Sequence, residues 1–161
     1  MKKIFTILML LAAILMGGMQ MSAYEPSTRH SKSSSSRQSA VISNAYLEHN
    51  KYLDGNKVMY VRYNLDTYGL EGKKVRVEVS LYKKNGKPLY QNNGKKEKND
   101  LMLNPAYEHT VYTNNYAWFS YGHMKLPSGR TNCYAVIKVY NASTGKLLKT
   151  SQKLDFYVDR N

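Results

Sequence analysis

The chain of 161 residues contains a single cysteine, Cys133. One cysteine excludes an internal disulfide, so packing must stabilise the fold even in an oxidising compartment. Cys133 falls within an alternating apolar pattern, and no basic or histidine context typical of an activated thiol surrounds it. We therefore expect a buried, unreactive thiol; an intermolecular bridge or a nucleophile is the alternative.

Acidic residues are scarce: 11 Asp and Glu stand against 24 Lys and Arg, which gives a formal net charge of +13. Such a charge favours acidic partners, such as an acidic glycan, lipopolysaccharide or a membrane surface. The alternative is that the lysines only solvate strand faces and protect sheet edges. Nucleic acid is not expected as a partner, because the sequence contains no base-reading or RNA-binding motif.

Catalytic and cofactor motifs are also absent. The sequence has no His-Glu-x-x-His zinc motif, no Gly-x-Ser-x-Gly elbow and no glycine-rich phosphate loop. The four histidines are scattered over positions 30, 49, 109 and 123, and no pattern pairs Glu78 with Glu108 as a glycosidase would require. We predict no catalytic residue, no metal and no cofactor, and a protein that is not an enzyme; a small hydrolase is the least favoured alternative.

Long apolar runs are limited to one, Ile4 to Met16, which follows Lys2 and Lys3. Two glycines end the run, and Ser22-Ala23 offers small residues for cleavage, as in a secretory signal peptide. The run of 13 residues is shorter than the roughly 20 that a membrane-spanning anchor, the alternative, requires. We predict a signal peptide over 1–23 and export to the periplasm, the cell surface or the medium, with no transmembrane segment after cleavage.

The remainder divides into two parts. Residues 24–40 are polar, rich in serine and without periodicity, which predicts a flexible tether. From Val41 onward, apolar and polar residues alternate, so we place one folded domain at 41–161.

Four clean alternations predict half-buried strands, each with one face in a core. Their apolar members are Met59, Val61, Tyr63 and Leu65; Val75, Val77, Val79 and Leu81; Cys133, Ala135, Ile137 and Val139; and Leu154, Phe156 and Val158. The aromatic stretch from Tyr116 to Tyr121 predicts a further strand, with Trp118 as the expected core anchor.

Turn signals separate these strands at regular intervals. They lie at residues 54–56, 84–87, 128–129 and 141–145, and the Asn-Gly at 85–86 is typical of a tight hairpin. We expect a first strand from Val41 to Glu48, a short edge strand from Leu89 to Gln91 and a polar loop over residues 92–100. Seven to eight strands at this spacing predict an all-β, immunoglobulin-like antiparallel β-sandwich, and a small β-barrel is the alternative.

The order of motifs from His49 onward resembles a small β-sandwich domain of exported proteins from anaerobic gut and oral bacteria. The resemblance is carried by Asn85-Gly86-Lys87-Pro88-Leu89, Asn104-Pro105-x-Tyr107, Leu126-Pro127-Ser128-Gly129 and Thr144-Gly145-Lys146. In that family the domain often follows peptidase-like or helical-repeat modules. The resemblance implies a fold but no catalytic residues.

Tyrosine, with 15 residues against 3 Phe and 1 Trp, supplies most of the aromatic side chains. Several fall on predicted polar strand faces next to basic residues, and tyrosine rings can stack on sugars. The candidate ligand-binding residues are Tyr60, Arg62, Tyr82, Tyr134, Lys138 and Tyr140. The alternative is that these tyrosines only form cross-strand pairs.

We therefore predict an exported binding module whose partner is an envelope protein or an acidic glycan. The main alternative is an assembly subunit that pairs through a strand edge. The oligomeric state stays open.

Overall fold

The computed structural model describes residues 27–28 and 37–160. The predicted signal peptide and most of the predicted tether lie outside the described residues. The strands are β1 (Ser27–Thr28), β2 (Ser39–Leu53), β3 (Asn56–Tyr68), β4 (Val75–Lys83), β5 (Lys98–Leu103), β6 (His109–Ser120), β7 (Gly129–Asn141), β8 (Leu147–Thr150) and β9 (Leu154–Arg160).

These strands form two antiparallel sheets. Sheet A has the order β1-β6-β3-β2, and sheet B has the order β5-β4-β7, with β8 and β9 following one another along the far side of β7. Strands β2, β3 and β6 thus take the A, B and E places of an immunoglobulin-like sandwich, and β4, β7 and β9 take the C, F and G places. The predicted sandwich is confirmed, and the barrel alternative is wrong because the two sheets do not close into one.

The core lies between the sheets and contains the residues that alternation predicted. All four apolar sets are buried, including Met59, Val77, Ile137 and Phe156. Cys133 is also buried, and burial raises the pKa of its thiol to about 11. The thiol is therefore protonated at neutral pH, which is the unreactive state expected of it.

The prediction of Trp118 as a core anchor is wrong. Its neighbours Ala117 and Phe119 are fully buried, whereas Trp118 is half-buried on the outer face of sheet A. Side chains alternate strictly along a strand, so Phe119 and Trp118 cannot both face the core. The sequence of this aromatic run does not show which alternate residues face the core, because every residue in it is large or apolar except one serine.

The strand predicted from Val41 to Glu48 is β2, which is longer than predicted and irregular. It runs over Ser39–Leu53, and its register with β3 shifts between Ser43 and Tyr46 and again between Glu48 and Lys51. Asn44 and Asn50 adopt positive φ angles of 49° and 56° at these irregularities, a conformation that asparagine tolerates better than most residues. Such bulges bend an edge strand and discourage pairing with a further strand.

The expected polar loop over residues 92–100 is only partly a loop. Strand β5 begins at Lys98, and the side chains of Glu97 and Asn99 are buried. Asn99 Nδ2 donates to the carbonyl of Trp118 at 2.7 Å. A side chain of sheet B thus provides a hydrogen-bond donor for a backbone carbonyl of sheet A. The short strand expected at residues 89–91 is reduced to isolated bridges between Tyr90 and Lys96 and between Gln91 and Met124.

Candidate functional site

The six predicted binding residues lie on two different surfaces. Tyr60 and Arg62 alternate with the buried residues of β3, so they face outward from sheet A. The other four, Tyr82, Tyr134, Lys138 and Tyr140, lie on β4 and β7 and face outward from sheet B. Because the core separates these faces, the structure does not bring the six residues together into one site.

The outer face of sheet A carries a cluster whose charges are already paired. Arg62 Nε donates to Glu48 Oε2 at 2.6 Å, and the guanidinium carbon lies 5.4 Å from the ring centre of Tyr60 and 5.5 Å from that of Tyr116. The two rings meet edge to face, with centres 5.2 Å apart. The hydrogen bond to Glu48 raises the pKa of Arg62, so this cation is committed to an internal partner.

The centre of sheet B's outer face holds a stacked tyrosine pair. Tyr82 and Tyr134 lie opposite each other in register, with ring centres 5.3 Å apart and planes inclined by 15°. Lys153 Nζ lies 4.5 Å from the Tyr134 ring centre, and Lys138 Nζ lies 6.0 Å from that of Tyr82. Only 9% of Tyr134 is exposed, so its ring faces are largely taken by these neighbours.

Two further cation–aromatic contacts flank this pair on the same face. Arg76 lies 4.5 Å above the ring of Tyr140, and Arg130 lies 4.2 Å above the ring of Tyr157. Sequence reasoning missed Arg76, Arg130 and Lys153 as members of the face. The cross-strand register pairs Arg76 with Tyr140, but the register only follows once the strand order is known.

An ion-pair network occupies the β4–β5 edge of the face. Lys98 Nζ lies 2.8 Å from Asp100 and 3.8 Å from Glu78, and Arg76 lies 3.7 Å from Asp100. The hydrogen bond to Asp100 raises the pKa of Lys98. These charges neutralise one another and leave little free charge for a ligand.

The neighbouring segment, residues 83–98, is a lysine meander that joins β4 to β5. Its lysines are Lys83, Lys84, Lys87, Lys95, Lys96 and Lys98, and its single acid is Glu97. Glu97 is only 1% exposed. Among residues 37–160, Lys98 is the one member of the six that pairs with a carboxylate, so the meander presents a surface of unpaired positive charge.

Backbone hydrogen bonds fold the meander into two successive turns. Gly86 has φ +85°, and its N–H donates to the carbonyl of Lys83 at 2.9 Å, which closes a turn at the predicted hairpin. Gln91 donates to Lys95 at 2.7 Å and closes the second turn. Tyr82 bridges Pro88, so the lysine meander lies directly beside the stacked tyrosine pair.

A separate groove of about 560 Å³ lies between β2 and β9. His49 Nδ1 lies 2.7 Å from the Tyr121 hydroxyl, and burial lowers the pKa of His49 and raises that of Tyr121. Arg160 donates to the carbonyls of Tyr121 and Met124. His49 and Asn50 both lie within β2, and His49 contacts Tyr121, the residue that follows β6.

Within the part of the chain that the structure describes, no three or more His, Cys, Asp or Glu side chains are grouped to hold a metal ion. No helix among the same residues is long and apolar enough to cross a membrane.

Comparison with known proteins gives little to set beside this geometry. No family model matches the chain, and no curated protein matches it. Among solved structures, the chain is similar to the X-ray structure of Northeast Structural Genomics Consortium target SoR45, with 13% identity over 75% of this chain and 86% of that chain. The TM-score is 0.27, which is too low to carry an argument. The resemblance to a domain of exported bacterial proteins therefore stays a prediction.

Proposed function

We propose that this protein is an exported, non-catalytic β-sandwich module that binds an acidic glycan on the outer face of sheet B. The observation that carries the proposal is the lysine meander. It gathers six lysines around one acid, and that acid is buried. A cationic surface of this kind attracts polyanions and raises their local concentration.

The aromatic part of the surface supports a sugar rather than a simple anion. Tyr90 lies inside the meander, pairs with Lys96 across a bridge and is 41% exposed. An exposed tyrosine ring offers a flat apolar face to a sugar and a hydroxyl at its rim. Tyr82 and Tyr134 cover each other, so we assign stacking to Tyr90 and give the stacked pair the role of a rigid support.

The alternative function is assembly through a strand edge, and pairing of two copies through β9 is a less favoured form of it. The free side of β9 carries Asp155 and Asp159 two residues to either side of Tyr157. Antiparallel pairing of two β9 strands about Tyr157 would set Asp155 of one copy opposite Asp159 of the other. Like charges directly opposite each other destabilise a strand pair, although Arg130, which donates to Asp159 at 2.9 and 3.0 Å, offsets part of this repulsion.

The test compares two variants with the same change in charge. One replaces Lys84, Lys87, Lys95 and Lys96 of the meander by Gln; the matched control replaces Lys51, Lys57, Lys74 and Lys146, which are exposed elsewhere. The probe is polygalacturonate, with neutral dextran as reference. Exposed ion pairs contribute about 0.5 kcal/mol each, so the meander variant should bind polygalacturonate roughly 30-fold more weakly.

The control variant should lose less than about threefold. Equal losses in the two variants would show that net charge alone drives binding, and no binding of polygalacturonate by the unmodified protein would overturn the proposal. As a second arm, Tyr90→Ala should weaken binding to polygalacturonate about fivefold. It should leave binding to polyphosphate unchanged, because polyphosphate has no sugar face.

A further inference from the structure

Glu97 is a buried carboxyl group that forms no ion pair with any residue the structure describes. Its Oε1 atom has no hydrogen-bond partner among the described residues, and its Oε2 atom accepts only a long hydrogen bond of 3.4 Å from Gln91 Nε2. Buried carboxylates are normally paired with a cation or with several donors. Glu97 therefore lies in a place that favours its neutral form.

The backbone of Glu97 holds the lysine meander together. Its N–H donates to the carbonyl of Leu89 at 2.9 Å, and its carbonyl accepts from the N–H of Leu81 at 3.0 Å. Leu89 in turn donates to the carbonyl of Leu81 at 2.9 Å. The buried carboxyl group and the backbone hydrogen bonds that join the meander to the end of β4 thus belong to the same residue.

Charged and titratable groups lie on the elements next to Glu97, and among the described residues none of them forms an ion pair with it. A pocket of about 160 Å³ beside it is lined by Glu78, Ser80, Tyr82, Lys96 and Lys98. Lys98 is committed to Asp100 and Glu78. The segment over residues 121–125 lies against the meander through its backbone: the His123 carbonyl accepts from the N–H of Asn92 at 2.8 Å, and the backbone N–H of Lys125 donates to the Tyr90 carbonyl at 2.7 Å.

Burial raises the pKa of Glu97 to about 7, although the hydrogen bond from Gln91 opposes the shift. In the unfolded chain the same carboxyl ionises near 4.5. The folded state therefore holds a proton that the unfolded state has released between these two values. The stability that Glu97 contributes is fully present below about pH 4.5 and is lost as the pH rises towards 7.

We propose that Glu97 is a proton-controlled switch of the lysine meander. With the carboxyl protonated, the meander keeps the arrangement in which its lysines and Tyr90 meet an anionic ligand. Ionisation drives the carboxylate towards water, loosens the hydrogen bonds to Leu81 and Leu89, and places a negative charge among the lysines. The binding consequence rests on the proposed function, whereas the structural consequence does not.

The structural test needs no ligand. The Glu97 side-chain carboxyl is followed by ¹³C NMR between pH 4 and pH 9, and amide exchange at Leu89 and Glu97 is measured with intrinsic rates divided out. We expect a titration midpoint near 7 and a loss of protection of up to about tenfold between pH 6 and pH 8, since only the protonated state is closed. A midpoint below about 5, the ordinary range of a carboxyl, would overturn the switch.

Two variants test whether Glu97 is the titrating group that causes the loss of protection. Glu97→Gln keeps the neutral shape and should show no change in protection between pH 6 and pH 8. His123→Asn removes a histidine whose backbone bonds the meander at Asn92 and should keep the transition. An unchanged transition in Glu97→Gln, or its loss in His123→Asn alone, would assign the effect to another group and overturn the proposal. The carboxyl titration and amide exchange of the unmodified protein together decide the question even if Glu97→Gln fails to fold, since a midpoint near 7 without loss of protection would also overturn the switch.

The binding test uses polygalacturonate, whose carboxylates stay ionised throughout this range. Affinity should fall up to about tenfold from pH 6 to pH 8 in the unmodified protein and stay constant in Glu97→Gln. If the protein binds no polygalacturonate at any pH, the proposed function fails while the ligand-free titration still decides the switch. If binding occurs with the same pH dependence in both proteins, the switch fails and the proposed function stands.

Discussion

Tyrosine occupies two opposite environments in this sandwich. Tyr63 and Tyr112 face the core, and neither hydroxyl has a hydrogen-bond partner among the described residues. Burial raises the pKa of Tyr112 to about 12 and raises that of Tyr63 further, so both hydroxyls stay protonated. On the outer faces, by contrast, Tyr60, Tyr140 and Tyr157 lie beneath arginines. The same residue type thus fills the core and supports cations outside it.

Replacing Tyr63 by Phe should not destabilise the protein. The hydroxyl is buried without a partner, and removing an unsatisfied polar group is neutral or stabilises by about 1 kcal/mol. Urea unfolding of the variant, compared with the unmodified protein, measures the difference. Tyr121→Phe is the matched control, because it removes the hydroxyl that lies 2.7 Å from His49 and should cost about 1 kcal/mol. A loss from Tyr63→Phe as large as that would mean that the hydroxyl has a partner, such as a buried water.

Alternation explains both the success and the failure of prediction at single residues. Val75, Val77 and Val79 are separated by charged residues, so their face is unambiguous and all three are buried. Around Trp118 the neighbours are also large or apolar, and composition alone could not decide which face belongs to the core. The cross-strand partners decide it, since Tyr60 lies in register with Trp118 on the outward side.

Turns set the register of neighbouring strands, and the turn after β7 depends on one buried side chain. Asn141 Oδ1 accepts from the N–H groups of Ser143 and Thr144 at 3.0 and 3.1 Å, and Asn141 Nδ2 donates to Gln38 at 3.0 Å. Asn141 is almost fully buried. It therefore joins the turn to the start of β2 as well as shaping the turn itself.

Asn141→Ala should destabilise the protein by about 2 kcal/mol, because it removes three part-buried hydrogen bonds, to Ser143, Thr144 and Gln38. Urea unfolding midpoints measure this loss. The matched control is Asn85→Ala, whose Oδ1 accepts one exposed N–H from Lys87 at 3.1 Å and which should cost about 0.5 kcal/mol. Equal losses would show that turn shape, rather than the burial of Asn141 and its bond to Gln38, governs the difference.

The strands were predictable from the sequence to a greater extent than the lysine meander. Turn residues and alternation locate β3, β4, β7 and β9 because each depends on local chemistry. The meander depends on contacts that no local pattern reveals, such as the hydrogen bonds of Glu97 to Leu81 and Leu89. Its charge suggested an exposed loop, and the burial of its one acid could not be read from the sequence.

The whole molecule separates its charges between two surfaces. The candidate residues of sheet A are tied to Glu48, whereas the face of sheet B continues into the unpaired lysines of the meander. The sequence indicated a basic protein rich in tyrosine, and the prediction placed Tyr60 and Lys138 in one candidate site. Only the sheet order shows that they lie on opposite sides of the core.

This excess of positive charge should give salt two opposite effects. With a formal net charge of +13, repulsion among lysines opposes folding, and salt screens it. Raising NaCl from about 20 to about 200 mM shortens the Debye length from roughly 20 Å to roughly 7 Å. We expect stability to rise by roughly 1 kcal/mol while the affinity for polygalacturonate falls, since the same screening weakens attraction to the ligand.

Thermal unfolding and polygalacturonate binding, measured on the same salt series, test this opposition. The variant with Gln at positions 84, 87, 95 and 96 should show a smaller rise in stability, because it removes four of the repelling charges. Its weak residual binding should also depend less on salt. A fall in stability with salt would mean that the surface ion pairs outweigh the repulsion. In that event the unpaired lysines of the meander are not the dominant charges of the folded protein.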